Sequence, residues 1–424
     1  MNAATNPIWH PFTQMKTATP PIPIERAKGC TLYAQDGKTY IDAISSWWVN
    51  IHGHSNDFIA AEIARQASTL EHVIFAGFTH APAMTLAERL IRILPDNFSK
   101  IFFSDDGSTS VEVAIKIALQ FWHNQHIAHK TKIIAFENAY HGDTFGAMSV
   151  GMPSVFTAPF QKHFFKVDFI PTPTSENIGD VKRMMTALIE TGTVAAFLFE
   201  PLVQGAGGML MHRADHLDEL IALAQQHEVL CIADEVMTGF GRTGKIFAID
   251  HLKNKPDLIC LSKGITGGFL PMGVTACSEK IYQAFHSSEV EKTFFHGHSY
   301  TANPLACAAA NASLTLLLSD QCQQQIKNIE RSHAQFLEKI RDNKFVTNVR
   351  QTGTILALEL TTNEQSSYFN STRHTIYPFC LNEGVLLRPL GNVVYIMPPY
   401  CITPEELKKV YSVILKLIEK IAEK

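Results

Sequence analysis

The chain has 424 residues, 46% hydrophobic and 18% charged, the balance of an ordinary globular protein long enough to build two or three packed units. Its net charge of −4 offers no basic field to gather nucleic acid or an anionic membrane. No run approaches the roughly 18 apolar residues needed to span a bilayer, and MNAATNPIWHPF lacks the basic head and apolar stretch of an export signal. The eight cysteines are scattered without a C-x-x-C pair, several inside apolar runs such as VLCIA and LICLS. They read as buried free thiols of a cytoplasmic protein, since a disulfide scaffold belongs to small secreted chains.

In chain order, residues 1 to about 28 are rich in Pro, Thr and Ala, and PPIPIE is too proline-dense for a helix. An extended arm lying on another surface is expected, with Trp9, Phe12 and Met15 buried there. From about 55 to 295, helical stretches alternate with short apolar runs. IFFS (101–104), KIIAF (132–136), AAFLF (195–199), VLCIA (229–233), LICL (258–261) and GVTAC (273–277) have the character of strands buried on both faces. After DDGS, the segment TSVEVAIKIALQFW places Val111, Ile115, Ala118 and Trp122 on one helical stripe, with Thr109 and Glu112 as a capping box. From about 305 follow a long helix (PLACAAANASLTLLLS), a heptad-like polar helix, strand candidates ILALEL and VVYIMPP, and the amphipathic PEELKKVYSVILKLIEKI. The expectation is an α/β protein with a large, mostly parallel-sheet domain and a small α+β domain. The boundaries fall at 1–50 (arm and part of the small domain), 51–305 (large domain) and 306–424 (small domain).

In open α/β sheets ligands bind beyond the carboxyl ends of the strands, so the residue after each apolar run is the informative one. IFFS leads to DDGSTS, a Gly107-Ser108 turn opening a helix, whose free N–H groups suit a phosphate. KIIAF leads to ENAYHG with Tyr140, AAFLF to EPLVQGAGG, VLCIA to Asp234, and LICLS to Lys263. A carboxylate and an amine at adjacent strand ends suit pyridoxal 5′-phosphate: the lysine holds the cofactor as a Schiff base while the carboxylate keeps its ring nitrogen protonated. Each piece has a plainer reading. The Gly-Ser turn serves as a cap, Tyr140 and His141 as turn residues, and Asp234 as a partner for Arg242 or a cap of the next helix.

Gly239-Phe240-Gly241-Arg242-Thr243-Gly244 satisfies G-x-G-x-x-G, but five residues including Asp234 and Glu235 separate it from its strand, and GKIFAID beyond it is strand-like. A dinucleotide loop follows its strand at once and opens a helix, so a dehydrogenase is set aside. His52-Gly53-His54 and His296-Gly297-His298 lack acidic or thiol partners at ligand spacing, so no metal is expected. No G-x-S-x-G elbow for a hydrolase is present.

IADEVMTGFGRTGKIFA, LSKGITGG, ENAYHGDTFGAMSV and FFHGHSYTANPLACAAANASL resemble the class III (ω-type) pyridoxal phosphate aminotransferases. IWHPFTQM, SSWWVNIHGH and LLRPLGNVVYIMPPY resemble, within that family, the branch that aminates 8-amino-7-oxononanoate in biotin biosynthesis. The resemblance implies the type I fold of pyridoxal phosphate enzymes and a homodimer with active sites at the subunit interface. It implies Lys263 as the Schiff-base lysine, Asp234 as the pyridine partner and Tyr140 stacked on the ring. Gly107 and Ser108 would bind the phosphate, joined by His298 and Ser299 from the neighbouring subunit. Trp47, Gly297 and Arg388 would line the substrate pocket, with Arg388 on the acceptor's carboxylate. Transfer would run in two half-reactions with ping-pong kinetics. Phe12 stands where many members that use S-adenosylmethionine have tyrosine, and a branch sharing P-F-T-Q-M and F-F-H-G-H-S-Y uses lysine. S-adenosylmethionine is the expected donor, lysine its rival, and an ω-aminotransferase of ornithine, aminobutyrate or a diamine the alternative activity.

Overall fold

The computed structural model describes residues 7–364 and 366–422. The strands in chain order are β1 (Ile24–Lys28), β2 (Thr31–Ala34), β3 (Thr39–Asp42), β4 (Phe98–Ser104), β5 (Lys132–Phe136), β6 (Val167–Ile170), β7 (Val194–Phe199), β8 (Val203–Gln204), β9 (Leu210–Met211), β10 (Leu230–Asp234), β11 (Leu258–Leu261), β12 (Gly273–Ser278), β13 (Val346–Thr352), β14 (Ile355–Leu360), β15 (Val385–Leu386) and β16 (Val393–Ile396).

Seven of them form the central sheet in the order β4-β12-β11-β10-β7-β5-β6. All neighbours from β11 to β6 run parallel, and β12 alone is reversed, antiparallel to both β11 and β4. The apolar runs are continuous because both faces are covered. Along β10, Leu230 and Ile232 enter the core cluster on one side while Cys231 and Ala233 enter that on the other. Each fully buried aliphatic side chain of this kind contributes about 1.5–3 kcal/mol.

The helix Gly107–Asn124 packs on one of these faces with Val111, Ile115, Ala118 and Trp122 buried, the stripe expected from its period. Its cap differs from the expectation. Asp106 accepts from Thr109 N at 2.8 Å while Thr109 Oγ1 accepts from Asp106 N at 3.0 Å, so the capping box is one turn earlier than Thr109 and Glu112. Glu112 is committed elsewhere, its carboxylate accepting from Gly146 N and Ala147 N at the start of the next helix.

Two further sheets use both chain ends. β15 pairs in parallel with β3, completing the sheet β1-β2-β3-β15, and β13-β14-β16 form an antiparallel sheet. Helices Asp320–Ile340 and Pro404–Ala422 meet through Phe336 and Tyr411, stacked 4.2 Å apart. The strand expected in GKIFAID is absent; Ala248–His251 form a single 3-10 turn. The reason is Glu235, whose buried carboxylate captures Ala248 N at 2.9 Å and Ile249 N at 2.7 Å and bends the segment inward. In the single chain the burial expected of the arm is not realised at Trp9 and Phe12, which are 87% and 50% exposed. Among the described residues no helix is long and apolar enough to cross a membrane.

Candidate active site

The carboxyl edge of the central sheet opens into a cavity of about 440 Å³, lined by Gly107, Ser108, Tyr140, Glu200, Asp234 and Lys263 among others. Five separate strand ends deliver these groups, as expected where parallel strands terminate together. At one end lies the start of the helix Gly107–Asn124. Gly107 N and Ser108 N have no hydrogen-bond acceptor among the described residues, and their dipole end faces the cavity wall they line. A side chain at Gly107 would put its Cβ 2.7 Å from Val236 Cγ1, so any larger residue there must displace Val236. Asp143 N donates to Ser108 Oγ at 3.0 Å, and Gly142, at φ +129, lets that loop pass against Ser108.

At the centre, buried His141 Nδ1 donates to Asp234 Oδ2 at 2.7 Å, while Asp234 Oδ1 accepts from Val236 N at 3.0 Å. The carboxylate is an acceptor only, which fixes the imidazole tautomer and leaves His141 Nε2 as a buried atom without a partner among the described residues. Glu200 is fixed by its own pair, accepting from Tyr140 N at 3.1 Å and from Gly205 N at 2.9 Å. Burial, reinforced by Asp234 and opposed by His141, pushes its carboxyl up to about 7.

Lys263 begins the 3-10 turn after β11 with φ +43, a conformation that costs a non-glycine residue energy and that functional positions tolerate. Its ammonium has no hydrogen-bond or ion-pair partner among the described residues. Burial lowers it to about 8, with Arg242 pushing the same way and Asp234 and Glu200 pulling it back. Its Nζ lies 4.5 Å from the ring centre of Trp48, whose Nε1 donates to Tyr395 Oη at 3.0 Å.

The tryptophan turn is held from below. Ser45, Ser46 and Trp48 all have positive φ, and the buried Asp42 carboxylate accepts from Ile44 N (3.2 Å), Ser46 N (2.9 Å) and Ser46 Oγ (2.8 Å) while contacting His54 Nε2 at 2.8 Å. Arg242, fully buried, donates to Trp48 O at 3.1 Å and Pro398 O at 2.8 Å. The turn presents Trp47 outward, where Phe12 meets it edge-on at 5.5 Å and the Arg388 guanidinium lies 5.0 Å from its ring centre.

The sequence pattern of the aminotransferase class-III family matches residues 13–418. The chain belongs to this family. This class III aminotransferase is 50% identical over 422 residues to the adenosylmethionine-8-amino-7-oxononanoate aminotransferase of Synechococcus elongatus, covering 98% of this chain and 99% of that one. It is 37% identical to the enzyme of the same name from Staphylococcus aureus, over 98% and 96% of the two chains. Among solved structures, the adenosylmethionine-8-amino-7-oxononanoate aminotransferase of Methanocaldococcus jannaschii superposes with a TM-score of 0.93 at 34% identity, covering 99% of this chain and 98% of that one. A PLP-bound amine transaminase from an uncultivated Pseudomonas species superposes with a TM-score of 0.92 at 29% identity, covering 99% of each.

The structure of this aminotransferase brings Gly107, Ser108, Tyr140, Asp234 and Lys263 to one cavity and sets Phe12, Trp47 and Arg388 together in a second group. Gly297, His298 and Ser299 lie on a loop that does not line the cavity of the same chain. Asp234 pairs with His141 rather than Arg242, and its other oxygen accepts from Val236 N. Sequence reasoning undervalued His141, Glu200 and Trp48. The first two stand at strand ends beside chosen residues, and position after a buried strand was the signal available for them. The glycine-rich decoy has a structural purpose: with Gly241 at φ +100, it turns Arg242 inward to tie Trp48 to the segment before Tyr400.

Proposed function

We propose that this class III aminotransferase moves an amino group onto the ketone of 8-amino-7-oxononanoate, giving 7,8-diaminononanoate, with pyridoxal 5′-phosphate as cofactor and S-adenosylmethionine as donor. The observation that carries the reading is Arg388 poised over the Trp47 ring, which Phe12 meets edge-on, in a chain half identical along its length to a relative named for that reaction. A guanidinium over an aromatic face suits a substrate with an aliphatic chain and a terminal carboxylate.

The residues present fit the cofactor. The unpartnered N–H groups of Gly107 and Ser108 suit its phosphate, the buried Asp234 its ring nitrogen, the Tyr140 ring its face, and the unpaired amine of Lys263 its aldehyde carbon. Bound there, pyridoxal phosphate supplies an electron sink for the carbon that gives up or receives the amine. Asp234, oriented by His141, would set its carboxylate against the ring nitrogen. Lys263 Nζ would act as general base and acid, taking the proton from the donor carbon and passing it to the cofactor's aldehyde carbon, and moving it in the opposite direction when the acceptor is aminated. The depressed pKa of Lys263 suits an amine that must alternate between the two states near neutral pH.

Gly297, His298 and Ser299 are assigned to the site of a second copy in a homodimer, supported by their absence from the lining of their own chain's cavity. Residues 51–305 are taken as the large cofactor domain, and 1–50 with 306–424 as the small one, supported by the pairing of β3 with β15. We take the enzyme to be cytoplasmic. Phe12 favours one second reading, lysine as donor with the same acceptor. The test incubates purified enzyme and 8-amino-7-oxononanoate with S-adenosylmethionine, lysine, ornithine and a diamine in turn and follows 7,8-diaminononanoate by mass spectrometry. Product with S-adenosylmethionine is expected; product with lysine alone overturns the donor, and none with any donor overturns the acceptor.

A further inference from the structure

Cys30 and Cys401 stand 371 residues apart in sequence, yet their sulfurs lie 3.7 Å from each other. Cys30 sits in the tight connection between β1 and β2, its carbonyl accepting from Asp42 N at 2.7 Å. Cys401 follows Tyr400, which is pinned by Tyr400 N donating to Ile51 O at 2.8 Å and its hydroxyl donating to Phe240 O at 2.7 Å. Between the two strands of chain runs the loop Ile51–His54, paired to Gly29 in both directions. There Gly53, at φ +81, leaves the space the Cys401 sulfur fills; a Cβ at 53 would come 2.5 Å from it. These bonds hold the backbone around both thiols, and a disulfide of about 2.05 Å requires the sulfurs to approach by under about 2 Å.

No other pair of the eight cysteines is in thiol contact among the described residues. Cys231, Cys260 and Cys307 point at backbone carbonyls, and burial pushes Cys277, Cys307, Cys322 and Cys380 up to about 12. Cys401 differs on two counts. It is the one cysteine that is only partly buried, and the contact with the Cys30 thiol holds its own thiol below the usual value. Reactivity in a thiol pair follows such exposure and thiolate character.

We propose that Cys30 and Cys401 form a modification site for a two-electron oxidant of the hydroperoxide class, closing to a disulfide that joins the two ends of the chain. The Cys401 thiolate attacks a peroxide oxygen, the O–O bond breaks, and the leaving hydroxide (alkoxide from an organic hydroperoxide) takes up the thiol's proton as one water (or alcohol). Cys30 sulfur then attacks the resulting sulfenic sulfur, the S–O bond breaks, and the Cys30 proton leaves with the hydroxyl as a second water. Two thiols lose two electrons and two protons, and the peroxide receives them; a dithiol reverses the change by exchange. The bridge fastens the β1–β2 turn to the segment after β16 beside the loop that carries His54, and so beside the Asp42 network under Trp47 and Trp48.

The test treats the cofactor-loaded enzyme with hydrogen peroxide, alkylates it in denaturant, and maps peptides by mass spectrometry with and without dithiothreitol. Titratable thiols are expected to fall from eight to six and to recover with dithiothreitol. The peptides of Cys30 and Cys401 should be recovered joined, within one chain on a non-reducing gel. The oxidised form should unfold at a higher temperature. Cys322→Ser should leave the link intact, whereas Cys30→Ser and Cys401→Ser should abolish it. If either of the last two fails to fold, the wild-type peptide map decides alone. Recovery of both cysteines unlinked, Cys401 as sulfinic acid beside a free Cys30, or a link that forms only in the unfolded chain overturns the proposal.

Discussion

Lys263 is the residue whose environment makes the sharpest quantitative demand. Burial lowers its ammonium to about 8 from the ordinary value of 10.5. At pH 8 an ordinary lysine is about 0.3% neutral amine, while Lys263 is about half neutral, a gain of roughly 150-fold in the form that can attack the cofactor's aldehyde carbon. The sign is fixed: raising the pH removes the proton, so attachment accelerates up to about pH 8 and levels off above it. Asp234 pulls the pKa up, so Asp234→Asn should move the midpoint lower. The assay strips the enzyme of cofactor, adds pyridoxal phosphate in buffers from about pH 6 to 10, traps the covalent attachment early with borohydride, and reads the labelled fraction by intact mass. A midpoint at 10 or above, or a rise in Asp234→Asn, would refute the account of a desolvated lysine stabilised by that carboxylate.

Other consequences can be checked in parallel. Asp234→Asn should keep its fold, by circular dichroism, and lose turnover by several orders of magnitude, each tenfold being about 1.4 kcal/mol of barrier; turnover within twofold of wild type contradicts the assigned role. Arg388→Ala removes charge-assisted bonds of about 1.5–3 kcal/mol and should raise the acceptor KM roughly ten- to a hundredfold, while single-turnover donor rates change less. Gly107→Ala forces a methyl to 2.7 Å from Val236 Cγ1 at the helix start and should weaken pyridoxal phosphate retention in equilibrium dialysis by about tenfold, with little change in the unfolding temperature of the apoenzyme. Phe12→Tyr adds one hydroxyl beside Trp47 and, at about 0.5–1.5 kcal/mol for a hydrogen bond, should improve use of S-adenosylmethionine about two- to tenfold relative to lysine.

The sequence by itself determined six of the seven strands of the central sheet, all but β6, and the groups at its edge. A strand buried on both faces reads as an unbroken apolar run whatever its neighbours, so Asp234 and Lys263 could be placed at strand ends before any contact was known. The helix after Asp106 was equally visible, although its cap was misassigned because Asp106 and Glu112 compete for the same local pattern and only the position of Gly146 shows where Glu112 is spent. Tertiary structure alone decided what surrounds the site. Glu235 overrides the strand-like character of residues 244–250 through two backbone hydrogen bonds, and Asp42 holds the run of positive φ that separates Trp47 from Trp48. The reach of His141 to Asp234, Arg242 to Trp48, and Cys30 to Cys401 spans 93, 194 and 371 residues. Periodicity reports how a segment meets the core, but a hydrogen bond between distant segments leaves no local pattern, because its partner is chosen by the packing of the whole chain.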